Sequence, residues 1–513
     1  MAYSEVDDVP CPVNPMLSDA LDEWGYDGVI IAHDTVANNT VALGTLQDHV
    51  GRILNVKYDR GLFDDPYVSD NVDPDALTDS HVALTLEAAH KSIVLLENKD
   101  SMLPLDLPSG KLATVGPFSN ILNYGDYSGQ FGAYPVAHSS TLRQDVLEVL
   151  SERNSSTKLL SSMGANTWLY NAQYPIPDYH LSTPNGTAGG LSATYYADPN
   201  FTTPLVHKTE VPVRDWGLYP PPGLPSNNFS TVWEGELTIP VDTETTEGWL
   251  GLGVSPNTTA RLYVDDQLLA EVPFSSTSNI LSNIPSRTYS LQNSTAPPPG
   301  SVPFTFRPGA KHRIKITFQT WNLHRKIENQ SSLNAQILFF WNLVDRSAPI
   351  DKAVALAQQA DTIILALGAS WDSNGENGDR ATLDLSANQT ALAHAIFALK
   401  KPVILILEGG RPFAILELYN ASAAVLTSFF GGQSAGHAIA DVLVGNAAPG
   451  GRLPLTVPRH VGQLPVYYNY KPTAHVAEYL DIDGSPAYPF GYGLSYTNFT
   501  ISGFSAIAGR SSG

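Results

Sequence analysis

The residues best suited to chemistry fall in one short polar run, Trp371-Asp372-Ser373-Asn374-Gly375-Glu376-Asn377-Gly378-Asp379-Arg380. Glu376 can exchange a proton, Trp371 can stack on the face of a sugar, and Asp379 with Arg380 can pair to hold the loop. The same composition also describes a solvated turn rich in Asn, Asp and Gly. The run follows the apolar stretch Thr362 to Gly368. It is therefore expected at the carboxyl edge of a parallel sheet, where the loops of open α/β sheets bind ligands.

A rival lies further on. Gly432-Gln433-Ser434-Ala435-Gly436 matches the G-x-S-x-G nucleophile elbow, set between an apolar strand and a helix. Asp441 with His460 or His475 follow in the order that a serine hydrolase needs. Small residues are equally expected at any tight strand-to-helix turn, with Ser434 as an N-terminal cap. No G-x-G-x-x-G or G-x-x-x-x-G-K-[ST] loop follows a strand, no H-E-x-x-H occurs among the histidines, and no calcium-loop spacing appears. The expectation is neither a metal nor a cofactor.

The elements that must position these residues are legible in the hydrophobic period. A helix with Val82, Leu86 and Ala89 on one face leads into Ser92-Ile93-Val94-Leu95-Leu96, and Leu112 to Val115 is a second strand closed by Gly116-Pro117. After Ala348 the alternation resumes: helix 351–360, strand 362–368, helix 388–399, strand 402–407, strand 423–430 and helix 434–444. Near-continuous apolar strands joined by amphipathic helices mean a parallel sheet covered on both faces. Between 188 and 346 the helical period disappears, strands alternate and Pro220-Pro221-Pro222 and Pro297-Pro298-Pro299 punctuate them. That segment reads as an all-β sandwich splitting one α/β domain. Residues 1–70 read as a helical stretch from Met16 to Trp24, the buried strand Val29-Ile30-Ile31, and a helix through Val50, Ile53, Leu54 and Tyr58.

The chain as a whole bounds the partners. With 513 residues and 43% apolar side chains it holds about three domains. Its net charge of -21 argues against nucleic acid, which clustered Lys and Arg would bind. No apolar run is long enough to cross a membrane. The single cysteine, Cys11, permits no internal disulfide. Asn-x-Ser/Thr sequons, from Asn38 to Asn498, occur at roughly twice the chance frequency, as in secreted chains, yet the first residues carry no leader pattern, so localisation stays open.

Further motifs carry a resemblance that is nearly continuous from Tyr3 to Phe499. Ala88 to Asn98 with Leu103-Pro104-Leu105, Gly125-Asp126-Tyr127-Ser128-Gly129, Gly431 to Gly445, Pro449 to Thr456, and Tyr488 to Tyr496 are similar to signatures of glycoside hydrolase family 3, the β-glucosidase and β-xylosidase family. Glu97 stands where the family usually has Lys. Glu376 to Arg380 followed by Leu383-Asp384-Leu385 resembles the family's E-G-x-D-R and L-D-L-P segment, with Asn377 in place of a glycine. The resemblance implies that Glu376 is the general acid/base, that residues 188–346 are a PA14-like insertion, that 71–187 with 347–500 form the C-terminal α/β sandwich domain, and that 501–513 open a fibronectin-like domain. Under it Gly432 to Gly436 becomes a structural turn.

The same resemblance assigns 1–70 to a shortened (β/α)8 barrel and its linker. Trp24 to Asp34 is similar to the strand bearing the family's aspartate nucleophile, but aligned without a gap His33 takes that position and Asp34 follows one residue late. Val50 to Leu54 resembles the barrel's last helix, and Gly61 to Val68 the linker. The implied reaction is retaining hydrolysis of a terminal β-glucoside or β-xyloside, with Glu376 as acid/base and Asp34 as the nucleophile candidate, at a rate cut down or abolished by the shortened barrel. A carbohydrate is the expected partner, and self-association through 1–70 is expected from its uncovered apolar residues. A carbohydrate-binding chain without turnover is the remaining alternative.

Overall fold

A computed structural model describes residues 43–67, 74–125, 139–167, 172–216, 223–275, 296–321, 335–374, 379–469 and 479–497, together with 220, 221, 279, 500, 502 and 503. The chain divides into two compact units, Met1–Ser80 and His81–Gly513. In the first, Leu43–Asp59 forms the helix that the period predicts, and its Val50, Ile53, Leu54 and Tyr58 are exposed. The helical stretch from Met16, the strand Val29-Ile30-Ile31, and both His33 and Asp34 lie outside the described residues.

The second unit is organised around a six-stranded sheet. Its strands are β1 (Val94–Asn98), β2 (Lys111–Val115), β3 (Lys158–Ser162), β4 (Thr362–Gly368), β5 (Val403–Glu408) and β6 (Ala424–Phe429), in the order β1-β6-β5-β4-β2-β3. β2 to β6 run parallel. β1 differs from the all-parallel expectation: it pairs antiparallel with β6, Val94 opposite Thr427. It reaches the sheet directly from the helix Pro74–Ser92, with Ile93 alone between them.

The strands read as unbroken apolar runs because both faces are covered. Ile363, Leu365, Val403, Leu405 and Val425 pack on one side with Leu392 and Ile396 of the helix Ala387–Phe397. Ile364, Ala366, Ile404, Ile406 and Leu426 pack on the other with Ile439 and Leu443 of the helix Ala435–Val444. Alternate residues of one strand thus belong to opposite cores, as the period-2 geometry requires.

Two antiparallel sheets occupy the chain between β3 and β4. One is built on Thr246–Val254, Ser301–Phe306 and Gln336–Asn342, the other on Leu191–Tyr196, Asn228–Thr238, Thr258–Val264 and Lys311–Trp321. They share one core that includes Trp233, Phe318, Phe339 and Trp341. The sandwich reaches back beyond the composition change at 188, since Tyr174–Pro175 pairs with Gln336–Asn342 and Leu181–Ser182 with Asn228–Thr238. Strands of two residues have no alternation for a sequence pattern to show.

The junction between sandwich and sheet is polar and specific. Ser161 in the edge strand β3 forms a parallel bridge with Thr243, and its amide donates to the Asp242 carbonyl at 2.8 Å. Ser162 Oγ donates to Glu244 Oε1 at 2.7 Å. The sandwich thereby covers part of the edge of β3 and pairs the Ser161 amide that would otherwise face outward.

Candidate active site

The sheet order reverses between β2 and β4. β3 lies on one side of that pair and β5 and β6 on the other, which makes the carboxyl edge between β2 and β4 the switch point of the sheet, the place where open α/β sheets bind ligands. Three segments meet there: Asn120 to Gly125 after β2, Ala369 to Asn374 after β4, and Glu408 to Arg411 at the end of β5.

The segment after β4 carries the predicted run. Gln389, fully buried in the helix Ala387–Phe397, clamps its start by accepting from the Gly368 amide at 2.8 Å and donating to the Gly368 carbonyl at 3.0 Å. Trp371–Asn374 then forms one helical turn. Gly375 to Gly378, with Glu376 among them, lie outside the described residues, as do the side chains of Trp371 and Asp372. Beyond them, Asp379 is exposed. Arg380 donates from Nη2 to the backbone carbonyl of Asp384, so it holds the far end of the loop through the main chain instead of pairing with Asp379.

Glu408 was not apparent in the sequence, where it reads only as the end of an apolar strand. It is buried, and its Oε2 accepts from Asn123 Nδ2 at 3.0 Å. Burial pushes its carboxyl up to about 8, against the smaller opposing effect of the Asn123 hydrogen bond. At such a value the protonated, neutral form predominates at pH 7. Asn123 Nδ2 also reaches the Ala369 carbonyl at 3.5 Å, tying the β2 loop to the β4 loop through one amide. Asn123 Oδ1 and Asn374 Nδ2, an acceptor and a donor, are buried without a protein hydrogen-bond partner among the described residues. Phe430 lies against both Gly410 and Gly125, the residue that opens the Gly125 to Gly129 motif.

Among the described residues the rival serine site does not assemble. Ser434 is buried and its Oγ lies 3.0 Å from Thr85 Oγ1. It stands at the N-cap position of the helix Ala435–Val444 but makes no side-chain capping bond, contrary to the expectation that it caps. Asp441 bonds His90 at 2.9 Å, and His460 Nδ1 accepts from the amide of Gly462 in its own turn. His475 lies outside the described residues.

Glu97, at the position of the family's usual Lys, accepts from Tyr488 Oη at 2.9 Å. It fastens β1 to the Tyr488 to Tyr496 segment. One trio of described residues could hold a metal: Asp145, Glu148 and His437 each place a ligand atom within 4.8 Å of the others. Sequence spacing could not show it, because the helices Leu142–Glu152 and Ala435–Val444 bring it together.

Residues 93–496 match the glycosyl hydrolase family 3 C-terminal domain. The chain belongs to glycosyl hydrolase family 3. It is 27% identical over 457 residues to a probable β-glucosidase K of Emericella nidulans, covering 82% of this chain and 50% of that protein. It is 26% identical to a xylan 1,4-β-xylosidase of Xylanibacter ruminicola, covering 98% of this chain and 60% of that protein. A shorter stretch of 165 residues is 41% identical to a periplasmic β-glucosidase of Salmonella typhimurium, covering 30% of this chain and 22% of that protein. The family 3 chain thus spans 60% or less of the length of these relatives. Among solved structures, the β-glucosidase of Kluyveromyces marxianus, one form of which is a complex with glucose, shares the fold. It superposes with a TM-score of 0.57 at 20% identity, covering 93% of this chain and 56% of that one.

Proposed function

We propose that this chain carries the acid/base half of a retaining β-glycosidase site, with Glu376 protonating the leaving oxygen and then activating water. The observation that carries the reading is the fastening, at the switch point of the sheet, of the turn leading into Glu376 to the segments at the ends of β2 and β5. Retention asks for a second carboxylate about 5 to 5.5 Å from the first, acting as nucleophile. Asp34 is its candidate, with His33 at the ungapped position. Trp371 supplies a stacking face for the sugar, and Arg380 with Asp379 bounds the loop.

Within the same reading, the β-sandwich is a PA14-like module that restricts the leaving-group side. Residues 1–70 correspond to part of the family's barrel and its linker, and 501–513 to the start of a fibronectin-like domain. Self-association through the exposed Val50, Ile53 and Leu54 belongs to the proposal, and light scattering on the full chain reads it directly. Proton NMR of the methyl glycoside formed when an aryl β-glucoside or β-xyloside is turned over in the presence of methanol tests the reaction class. The methyl β-glycoside is expected, and a methyl α-glycoside would rule out retention.

A further inference from the structure

We propose that Arg411 is a positioning residue for the acid/base loop, mounting the helical turn Trp371–Asn374 that leads into Glu376, with Asn123 and Glu408 as the base of the mount. This rests on reading Glu376 as the acid/base.

Arg411 Nη1 donates to the Ser373 carbonyl at 3.0 Å and to Asn374 Oδ1 at 3.0 Å. A helix of four residues has no stability of its own, because closing the first turn fixes several dihedrals for one hydrogen bond. Its last carbonyls also lack intrahelical donors. The Arg411 guanidinium supplies such a donor at the end of the turn, immediately before Gly375. Its planar fork reaches a backbone carbonyl and a side-chain amide from one nitrogen.

The residues before Arg411 let the two loops approach. Gly409 has φ 137°, a conformation that L side chains rarely adopt, and an added Cβ would stand 3.1 Å from Asn374 Nδ2 and 3.3 Å from the Ala369 amide. Its own amide donates to the Phe429 carbonyl at 3.1 Å, while the Ala369 amide donates to the Glu408 carbonyl at 2.9 Å. Asn123 joins the Glu408 carboxyl to the Ala369 carbonyl from the β2 side. The turn is therefore held at its root by Glu408 and Asn123, and at its tip by Arg411. A proton-transfer group needs its support fixed to within roughly 0.5 Å, which a lone turn cannot provide.

Hydrogen exchange of the full chain, followed by mass spectrometry at one pH, tests the mount without requiring turnover. In Arg411→Ala, peptides covering 369–374 are expected to exchange about tenfold faster while β4 and β5 keep their protection. Arg411→Lys, which retains a single donor nitrogen, is expected to fall between, and millimolar guanidinium to restore part of the protection in Arg411→Ala. Unchanged exchange over 369–374 in both variants overturns the proposal. So does a uniform rise across all strands, which marks general destabilisation. If Arg411→Ala loosens the turn but Glu376→Gln leaves glycoside turnover intact, the acid/base reading fails and the mount stands.

Discussion

Arg143 and Asp242 form a buried ion pair that locks the β-sandwich onto the α/β sheet, with Arg143 Nε donating to Asp242 Oδ2 at 2.7 Å. Their side chains are only 4% and 6% exposed. Removing one partner leaves a charge uncompensated in a site closed to water. Arg143→Ala is expected to destabilise the chain by about 3 to 5 kcal/mol. Urea denaturation reads the loss, and a change below about 1 kcal/mol would place the pair in the class of surface bridges.

Glu408 sets a pH dependence of stability with a definite sign. Its carboxyl is pushed up to about 8 in the folded chain, so between the ordinary carboxylate range and about 8 the folded state holds a proton that the unfolded chain has lost. The stability it contributes is complete below the unfolded value and falls as pH rises through about 8. Glu408→Gln keeps a neutral side chain of similar shape and removes the ionisation. Its Tm is expected to decline less than that of the unmodified chain between about pH 5 and pH 9, by about 5 °C or more. Parallel Tm curves would show that Glu408 is already charged in the fold.

The extent of the sandwich can be tested by excision. Tyr174, Ile176 and Leu181 are buried in its core, although they precede the composition change at 188. A segment of 172–346 is expected to show a β-type circular dichroism spectrum and to melt cooperatively. Starting instead at 188 removes these three side chains, each contributing about 2 to 5 kcal/mol when buried, and is expected to lower the melting temperature by at least about 10 °C. Equal melting of the two segments would put the boundary back at 188.

Much of this architecture is legible in the sequence for a physical reason. Strands such as Thr362–Gly368 and Val403–Glu408 are covered on both faces, so they appear as continuous apolar runs, and the helix between them buries Leu392, Ala393 and Ile396 at helical spacing. The direction of β1 is not legible, because a short apolar strand does not encode whether its neighbour runs with it or against it. Glu408 and Arg411 were hidden for another reason. One ends an apolar strand and the other sits in a connection, and only the paired Gly409-Gly410 after a buried strand hints that two backbones meet there. The likeness of Glu376 to Arg380 to the family's acid/base segment is visible in sequence, whereas the fastening of the preceding turn Trp371–Asn374 is visible only once Asn123, Glu408 and Arg411 are brought together.

The most direct test of the account is the dependence of glycoside turnover on Glu376. Full chain and Glu376→Gln would be assayed on 4-nitrophenyl and 2,4-dinitrophenyl β-glucosides and β-xylosides, with and without azide. The account predicts slow turnover by the unmodified chain, far below ordinary enzyme rates, because the proposed correspondence puts His33 at the nucleophile position. Glu376→Gln should lose turnover of the 4-nitrophenyl substrate by about 100-fold or more. It should lose less with the 2,4-dinitrophenyl leaving group, which needs no acid, and azide should restore turnover by yielding a β-glycosyl azide. Turnover of the 4-nitrophenyl substrates that Glu376→Gln leaves unchanged would contradict the assignment of Glu376 as the acid/base.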